Sequence, residues 1–172
     1  MQKKLKIQFF KNKKYFFIGF AIIFTIFVID IWSKRIAFAK VDEFSVKTGG
    51  IYDYIQMTYF FNIVKVINTG VSFGMFNGIV YGQIILSIIT SILIGFLFYL
   101  SWQSGDKFLI YTYSAIIGGG IGNLYDRIIY GGVFDFLDFH IKQYHWPAFN
   151  IADSVVCVGV FLLLIKELRD KK

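Results

Sequence analysis

Four long apolar stretches constrain the fold of this chain more than any other feature of its 172 residues. A transmembrane helix needs about 20 mostly apolar residues. Four segments approach or exceed that length: residues 15–33, 79–101, 108–128 and 149–166. The second is the cleanest, because no charged residue occurs between Lys65 and Asp106. The sequence therefore predicts an α-helical membrane protein whose four helices cross the bilayer.

The composition excludes an ordinary water-soluble domain. Hydrophobic residues make up 56% of the chain and charged residues 17%, whereas soluble domains contain about 25% charged residues. A soluble fold of this size exposes much of its surface, so it could not hide this amount of apolar surface from water. We therefore expect residues 1–172 to form a single integral membrane domain.

The basic residues lie mainly near the two ends of the chain and predict its orientation. Six lysines fall within the first 14 residues, and four basic residues lie within the last seven. Basic clusters beside transmembrane helices stay on the cytoplasmic side, so both termini are expected there, which requires an even number of spans. These clusters account for much of the net charge of +7, and no nucleic-acid-binding surface is expected.

The segment between the first two spans has the pattern of β-structure. Aromatic and β-branched residues dominate residues 51–67, and turn-forming residues flank them at Gly49–Gly50 and Asn68–Gly70. Such runs between turn signals are typical of strands. The sequence thus predicts a small β-rich cradle of two or three strands, within about residues 35–78, on the outer membrane surface.

Polar residues gather at the outer ends of the predicted helices, while the inner halves contain almost none. They are Asp30 and Lys34 at the end of the first span, Asn123, Asp126 and Arg127 at the end of the third, Asn150 and Asp153 at the start of the fourth, and Asp135 and Asp138 in the adjoining outer loop. Ionisable residues in spans are costly and mark functional sites. At a rise of about 1.5 Å per residue, Asp153 should lie only a few ångströms below the outer boundary.

Each of these residues also has a purely structural interpretation. Asn150 and Asp153 fit a helix N-cap, and Asp135 and Asp138 could cap a short interfacial helix in the same way. Arg127 could extend towards lipid headgroups, and the glycines that precede Asn123 could form a helix-packing face. Their convergence at one depth favours a functional site over separate structural roles.

Asp135 and Asp153 are the predicted reactive pair of this site. Two carboxyl groups close together in a low dielectric cannot both ionise, so one keeps its proton. One can then act as a general base on water while the other protonates a carbonyl oxygen. A metal site is poorly supported, because His140 and His145 have no thiolate or His-x-x-x-His spacing beside them; they are expected to be surface residues.

Four sequence blocks then occur in a recognisable order. They are Asp30 with Lys34, Asn68-Thr-Gly-Val-Ser-Phe73, Gly119-Gly-Ile-Gly-Asn-Leu-Tyr-Asp-Arg127 followed by Gly132-Val-Phe-Asp-Phe136, and Phe149-Asn-Ile-Ala-Asp-Ser154. In these blocks the chain resembles the lipoprotein signal peptidases, or signal peptidase II, of bacterial cytoplasmic membranes. Departures at Ile31, Val71–Ser72 and Gly120, where that family usually has Gln, two alanines and Ala, concern the shape of the pocket and leave the two aspartates untouched.

The resemblance implies four transmembrane helices with a β-rich cradle outside, and a membrane-embedded aspartyl endopeptidase active at the outer face. Such an enzyme removes signal peptides from prolipoproteins by cleaving before the diacylglyceryl-modified cysteine. Asp135 and Asp153 would be catalytic. The supporting or substrate-binding residues would be Asp30, Lys34, Asn68, Gly70, Asn123, Arg127 and Asn150. The expected partners are prolipoproteins and membrane lipids; no metal or organic cofactor is required, and a monomer is adequate.

Two other functional classes stay open at this point. A small transporter or proton channel could use the same carboxylates as relay groups, although transporters place ionisable residues near the bilayer midplane. A non-catalytic assembly factor could use the glycines as packing surfaces and the aspartates as helix caps.

Overall fold

The computed structural model describes residues 2–50, 53–70 and 81–171, with the backbone alone for residues 2–12. The helices are α1 (Gln2–Lys47), α2 (Gly82–Gln103), α3 (Lys107–Tyr130) and α4 (Ile151–Asp170). The strands are β1 (Tyr54–Gln56), β2 (Phe61–Asn68), β3 (Val133–Ile141) and β4 (Tyr144–His145). The fold is therefore mostly helical with one small sheet, which confirms the coarse fold prediction.

Two of the described helices, α1 and α2, are long and apolar enough to cross a membrane by length and composition. The apolar side chains of α2 are largely exposed, as expected for a surface that faces lipid rather than water. Helices α3 and α4 contain the glycines and polar residues noted above, which lower their mean hydropathy. Their 24 and 20 residues correspond to about 36 and 30 Å, so both are long enough for a hydrocarbon core of about 30 Å.

The sheet is antiparallel, with strand order β1-β2-β3-β4. It joins the two segments expected outside the membrane, because β2 pairs with β3 from Asn68 opposite Val133 to Phe61 opposite Phe139. One end of β3 follows α3 directly, so the sheet begins beside the end of that helix. The strand that carries Asp135 is thus fixed at both edges.

Two local features differ from what the sequence patterns suggested. The outer segment expected from about residue 35 begins as a continuation of α1 to Lys47, because the last turns contain good helix formers and the first glycine after the helix is Gly49, with φ of 67°. The segment Asp135–Asp138 was considered as the cap of a short helix, but it lies within β3, where aromatic residues favour strand. The predicted start of the second span at residue 79, and residues 71–78 of the outer segment, lie outside the described residues.

Helix α3 packs against the other three helices through consecutive glycines. A Cβ atom on Gly118 would lie 3.0 Å from the carbonyl oxygen of Ile23 in α1, and one on Gly119 would lie 2.8 Å from that of Ala152 in α4. A Cβ atom on Gly120 would lie 3.3 Å from the Ile94 side chain in α2. The glycines therefore form the predicted packing face, with successive residues directed at different neighbours.

We expect Gly119→Ala to lower the stability of the protein by about 1–3 kcal/mol, because its methyl group would meet a backbone carbonyl that cannot move aside. Gly95→Ala in α2 is the matched control. A Cβ atom there meets nothing within 4 Å, so the change should be neutral or stabilising. Thermal unfolding in detergent measures both; equal unfolding temperatures for the two variants would contradict the packing argument.

Candidate active site

A buried lysine lies at the centre of the polar cluster. The Lys34 side chain is 1% exposed, and its Nζ lies 2.6 Å from Asp30 Oδ2 and 2.8 Å from Asp126 Oδ2. Nζ also donates to Asn123 Oδ1 at 3.0 Å. The ammonium group has three protons, so three acceptors use its full donor capacity. A buried charge is tolerated only with such pairing.

The two carboxylates that flank Lys34 also bind backbone N–H groups of other elements. Asp30 Oδ1 accepts from Ala152 N at 2.9 Å, at the start of α4. Asp126 Oδ2 accepts from Phe134 N at 3.2 Å, at the start of β3. The cluster therefore ties α1 and α3 to the two elements that carry Asp153 and Asp135.

Two side-chain amides connect the predicted reactive aspartates. Asn123 Nδ2 donates to Asp153 Oδ1 at 2.7 Å, and Asn150 Nδ2 donates to Asp135 Oδ1 at 2.7 Å and to Asn123 Oδ1 at 3.1 Å. Because Asn123 Oδ1 accepts from both Lys34 and Asn150, its amide has one favourable orientation, with Nδ2 towards the carboxylate. The site is thus a continuous hydrogen-bonded path from one aspartate to the other.

Asn150 and Asp153 also form the predicted N-cap of α4. Asn150 Oδ1 accepts from Asp153 N at 2.9 Å, and Asp153 Oδ2 accepts from Asn150 N at 3.3 Å, which is a complete capping box. The structural and the functional interpretations therefore apply to the same side chains. The cap holds the Asp153 carboxylate at the N-terminus of α4, next to Asn150.

The two aspartates differ in their access to solvent. Asp135 is 1% exposed, whereas Asp153 is half-buried and lines a cavity of about 410 Å³ together with Asn68, Asn123 and Arg127. Burial, and then the negative charge of Asp153, raise the pKa of Asp135 to about 7. Below about pH 7, Asp135 therefore keeps a proton beside a more accessible carboxyl group, as a coupled acid–base pair requires.

Asn68 and Gly70 hold the other side of Asp135. Asn68 Nδ2 donates to Asp135 Oδ2 at 2.9 Å, and Gly70 N donates to Asn68 Oδ1 at 3.0 Å. The backbone N–H of Gly70 thereby orients the Asn68 amide, so that its donor faces the carboxyl group. Both oxygens of Asp135 then accept from amide donors.

Arg127 retains donor capacity towards the cavity that it lines. Its Nη1 donates to the Asn123 carbonyl at 3.4 Å, and its buried Nε has no hydrogen-bond partner among the described residues. Its charge lies within electrostatic range of Asp126, Asp135 and Asp153. The guanidinium can therefore both offset the carboxylates and bind a ligand's oxygen.

The structure brings all nine predicted site residues into this one cluster, and it adds Asp126. Asp126 was noted at the end of the third span but not assigned to the site, because its pairing with Lys34 depends on helix packing.

Asp138 lies in a separate group, where its carboxylate accepts from Asn62 at 2.9 Å and contacts His145 Nδ1 at 2.9 Å. Among the described residues, no group of three or more His, Cys, Asp and Glu side chains is arranged to hold a metal ion.

We expect Lys34→Met to destabilise the protein by about 3–5 kcal/mol, because it leaves two buried carboxylates without their cation. Lys65→Met is the matched control, since Lys65 pairs with Asp42 at the surface and exposed pairs contribute little. Thermal unfolding in detergent compares the two. If Lys65→Met lowered the stability as much as Lys34→Met, burial would not explain why Lys34 is essential.

The raised pKa of Asp135 predicts a pH-dependent stability. A carboxyl group whose pKa is higher in the folded protein contributes stability fully below its ordinary pKa of 3.8, and this contribution is lost as pH rises through about 7. The unfolding temperature should therefore decrease between about pH 4 and pH 8, and Asp135→Asn should flatten that decrease. Asp42→Asn, at an exposed carboxylate, should leave it unchanged. An identical pH profile for wild type and Asp135→Asn would refute the assignment.

Comparison with known proteins identifies the family. The family model described as "Signal peptidase (SPase) II" matches residues 22–169. The lipoprotein signal peptidase of Thermodesulfovibrio yellowstonii is 41% identical over 147 residues, which cover 86% of this chain and 92% of that protein. The lipoprotein signal peptidase of Alteromonas mediterranea is 38% identical over 152 residues, covering 85% of this chain and 79% of the relative.

Solved structures agree with the sequence comparison. A bacterial membrane enzyme determined by the in meso method at 2.3 Å superposes with a TM-score of 0.73 and 30% identity, covering 90% of this chain and 89% of that one. A second structure of a bacterial membrane enzyme, at 1.9 Å, gives a TM-score of 0.72 and 29% identity, covering 88% of this chain and 93% of that one. This chain belongs to the signal peptidase II family, the lipoprotein signal peptidases.

Proposed function

We propose that this chain is an aspartyl endopeptidase that removes signal peptides from prolipoproteins by cleaving before the diacylglyceryl-modified cysteine. Membership of the family supports the substrate class. The observation that carries the catalytic assignment is the bridged pair of carboxyl groups, one buried and protonated near neutral pH, the other open to a cavity.

In the proposed reaction, Asp153 takes a proton from water while the water oxygen attacks the scissile carbonyl carbon. Asp135 gives its proton to the carbonyl oxygen, which yields a neutral tetrahedral diol. Asp153 then protonates the leaving nitrogen as the C–N bond breaks, and Asp135 recovers a proton from a diol hydroxyl. Protons and electrons balance without any cofactor, and the pair returns to its starting state.

The positions of the supporting residues suit this sequence. Arg127 lines the cavity, and its guanidinium can donate to the substrate's backbone carbonyl groups. Asn123 and Asn150 keep their donors on the two carboxyl groups, so each aspartate holds its orientation while the proton moves. Preorganised donors of this kind act without reorganisation during the reaction.

We further propose that all four helices cross the bacterial cytoplasmic membrane, with both termini in the cytoplasm and the aspartates near the outer face. The lengths of α3 and α4 and the basic ends of the chain support this topology. A prolipoprotein could then diffuse laterally to the cavity with its acyl chains still in the bilayer. One copy of the chain carries every residue assigned to the site, so a monomer is sufficient.

Specific observations disfavour the rival functions. A transporter would place its ionisable groups near the midplane, whereas here they gather around the end of α3 and the start of α4, with Asp30 and Lys34 of α1 paired beside them. An assembly factor would need its aspartates only as caps, yet Asp135 lies within β3 and caps no helix.

A serine hydrolase is a further alternative, because residues Gly70–Gly74 match the Gly-x-Ser-x-Gly motif of that class. Substitution of Ser72 distinguishes this mechanism from the proposed one.

We expect Asp135→Asn and Asp153→Asn each to lower kcat for a lipidated prolipoprotein by a factor of about 10² to 10⁴ or more, since each removes one half of the acid–base pair. Both variants should remain inserted and should still bind substrate. Purified protein in detergent, with cleavage followed by gel mobility and mass spectrometry, provides the measurement.

Asp42→Asn is the matched carboxylate control for this experiment, because Asp42 is exposed and pairs with Lys65 at the surface. Ser72→Ala controls for a serine nucleophile. Both should cleave at the wild-type rate. Full turnover by either site variant would remove the dyad assignment, and loss of activity in Ser72→Ala would favour a serine mechanism instead.

A further inference from the structure

We infer that a second cavity on the outer sheet binds the backbone of the polypeptide that follows the scissile bond; this rests on the function proposed above. The cavity has a volume of about 650 Å³ and adjoins the catalytic cavity. The segment Trp146, Pro147 and Ala148 lines both. Both cavities therefore border the same short segment, so a chain that leaves the catalytic cavity over this segment would reach the outer one.

A buried amide in the outer cavity lacks one of its hydrogen-bond partners. Asn62 is 5% exposed, and its Nδ2 donates to Asp138 Oδ2 at 2.9 Å. Its Oδ1 is buried and accepts from no group among the described residues. A buried acceptor without a donor is costly, so a ligand that donates to Asn62 Oδ1 would gain that energy.

His140 provides a second acceptor in the same cavity. Its Nδ1 lies 3.1 Å from the Lys142 carbonyl oxygen, which can only accept, so Nδ1 carries the hydrogen. In the neutral ring Nε2 is then an acceptor, and this atom is also buried without a partner among the described residues. The ring stacks on His145 at 4.8 Å, while His145 Nδ1 contacts Asp138.

The two unpaired acceptors, Asn62 Oδ1 and His140 Nε2, therefore call for a ligand that supplies N–H donors. The backbone of an extended polypeptide presents such donors at regular intervals, and it does so whatever its side chains are. Recognition through the backbone suits an enzyme whose substrates share a lipidated cysteine but differ in the sequence that follows it. The side chains of that segment would remain free to vary.

The direction of the strand decides which side of the scissile bond reaches this cavity. Asp138 lies three residues after Asp135 on β3. It is therefore roughly 10 Å farther along the strand than Asp135, in the direction that leads away from α3. An extended chain advances about 3.3–3.6 Å per residue, so the third or fourth residue after the scissile bond reaches Asn62. The signal peptide is apolar and stays with the helices, which leaves the mature segment for the sheet.

Two lipidated peptides with the same signal sequence test this inference. One ends one residue after the modified cysteine, and the other continues for six residues. We expect wild type to cleave the longer peptide with the higher kcat/KM. His140→Phe keeps the stacked ring but removes the acceptor, and Asn62→Val removes the unpaired amide oxygen. Each should reduce kcat/KM for the longer peptide by about 3- to 10-fold and leave the shorter peptide unaffected.

Tyr59→Phe, on an exposed side chain outside this cavity, is the matched control and should change neither value. N-methylation of the third or fourth amide after the scissile bond, tested on wild type, should reproduce the loss and does not depend on how well a variant folds. Equal effects of the variants on both peptides, or no preference of wild type for the longer one, would overturn the inference. Failure of wild type to cleave either peptide would instead overturn the proposed function itself.

Discussion

The pairing of the Lys34 ammonium with two buried carboxylates is the interaction on which the rest of the site depends. Asp30 and Asp126 each use a second contact to hold a backbone N–H, one at the start of α4 and one at the start of β3. A single cation thereby fixes the relative position of two elements that are distant in sequence. Without it the two carboxylates would repel each other, and the aspartates that they position would lose their common frame.

This arrangement also sets the surroundings of Asp135 and Asp153, and with them the protonation of Asp135. The amides of Asn123 and Asn150 are oriented by their other partners, so each presents a donor to one carboxyl group. Burial and the negative charge of Asp153 raise the pKa of Asp135 to about 7, whereas the Asp153 side chain lines the cavity. Two chemically identical side chains thus have different surroundings, which supports the different roles proposed for them.

Much of this arrangement could be predicted from the sequence, because apolar length and one-sided polar residues are local signals. The four helices, the cap at Asn150 and the packing of the glycines all followed from such patterns. The extent of α1, the strand at Asp135 and the pairing of Asp126 with Lys34 did not. The last two depend on contacts between segments that are far apart in the chain, and the β2–β3 pairing in particular imposes strand on a segment whose short polar residues also suit a helix cap.

The unbroken course of α1 has a mechanical consequence. The helix continues for 13 residues beyond Lys34, or about 20 Å, and it supports the sheet through the stacking of Phe38 on Phe134. The apolar part of α1, the buried ion pairs of Lys34 and the sheet are therefore connected by one continuous helix. With the topology proposed above, a change in bilayer thickness that tilts α1 moves all three together, so the depth of the proposed cleavage site follows the membrane while its internal geometry is preserved.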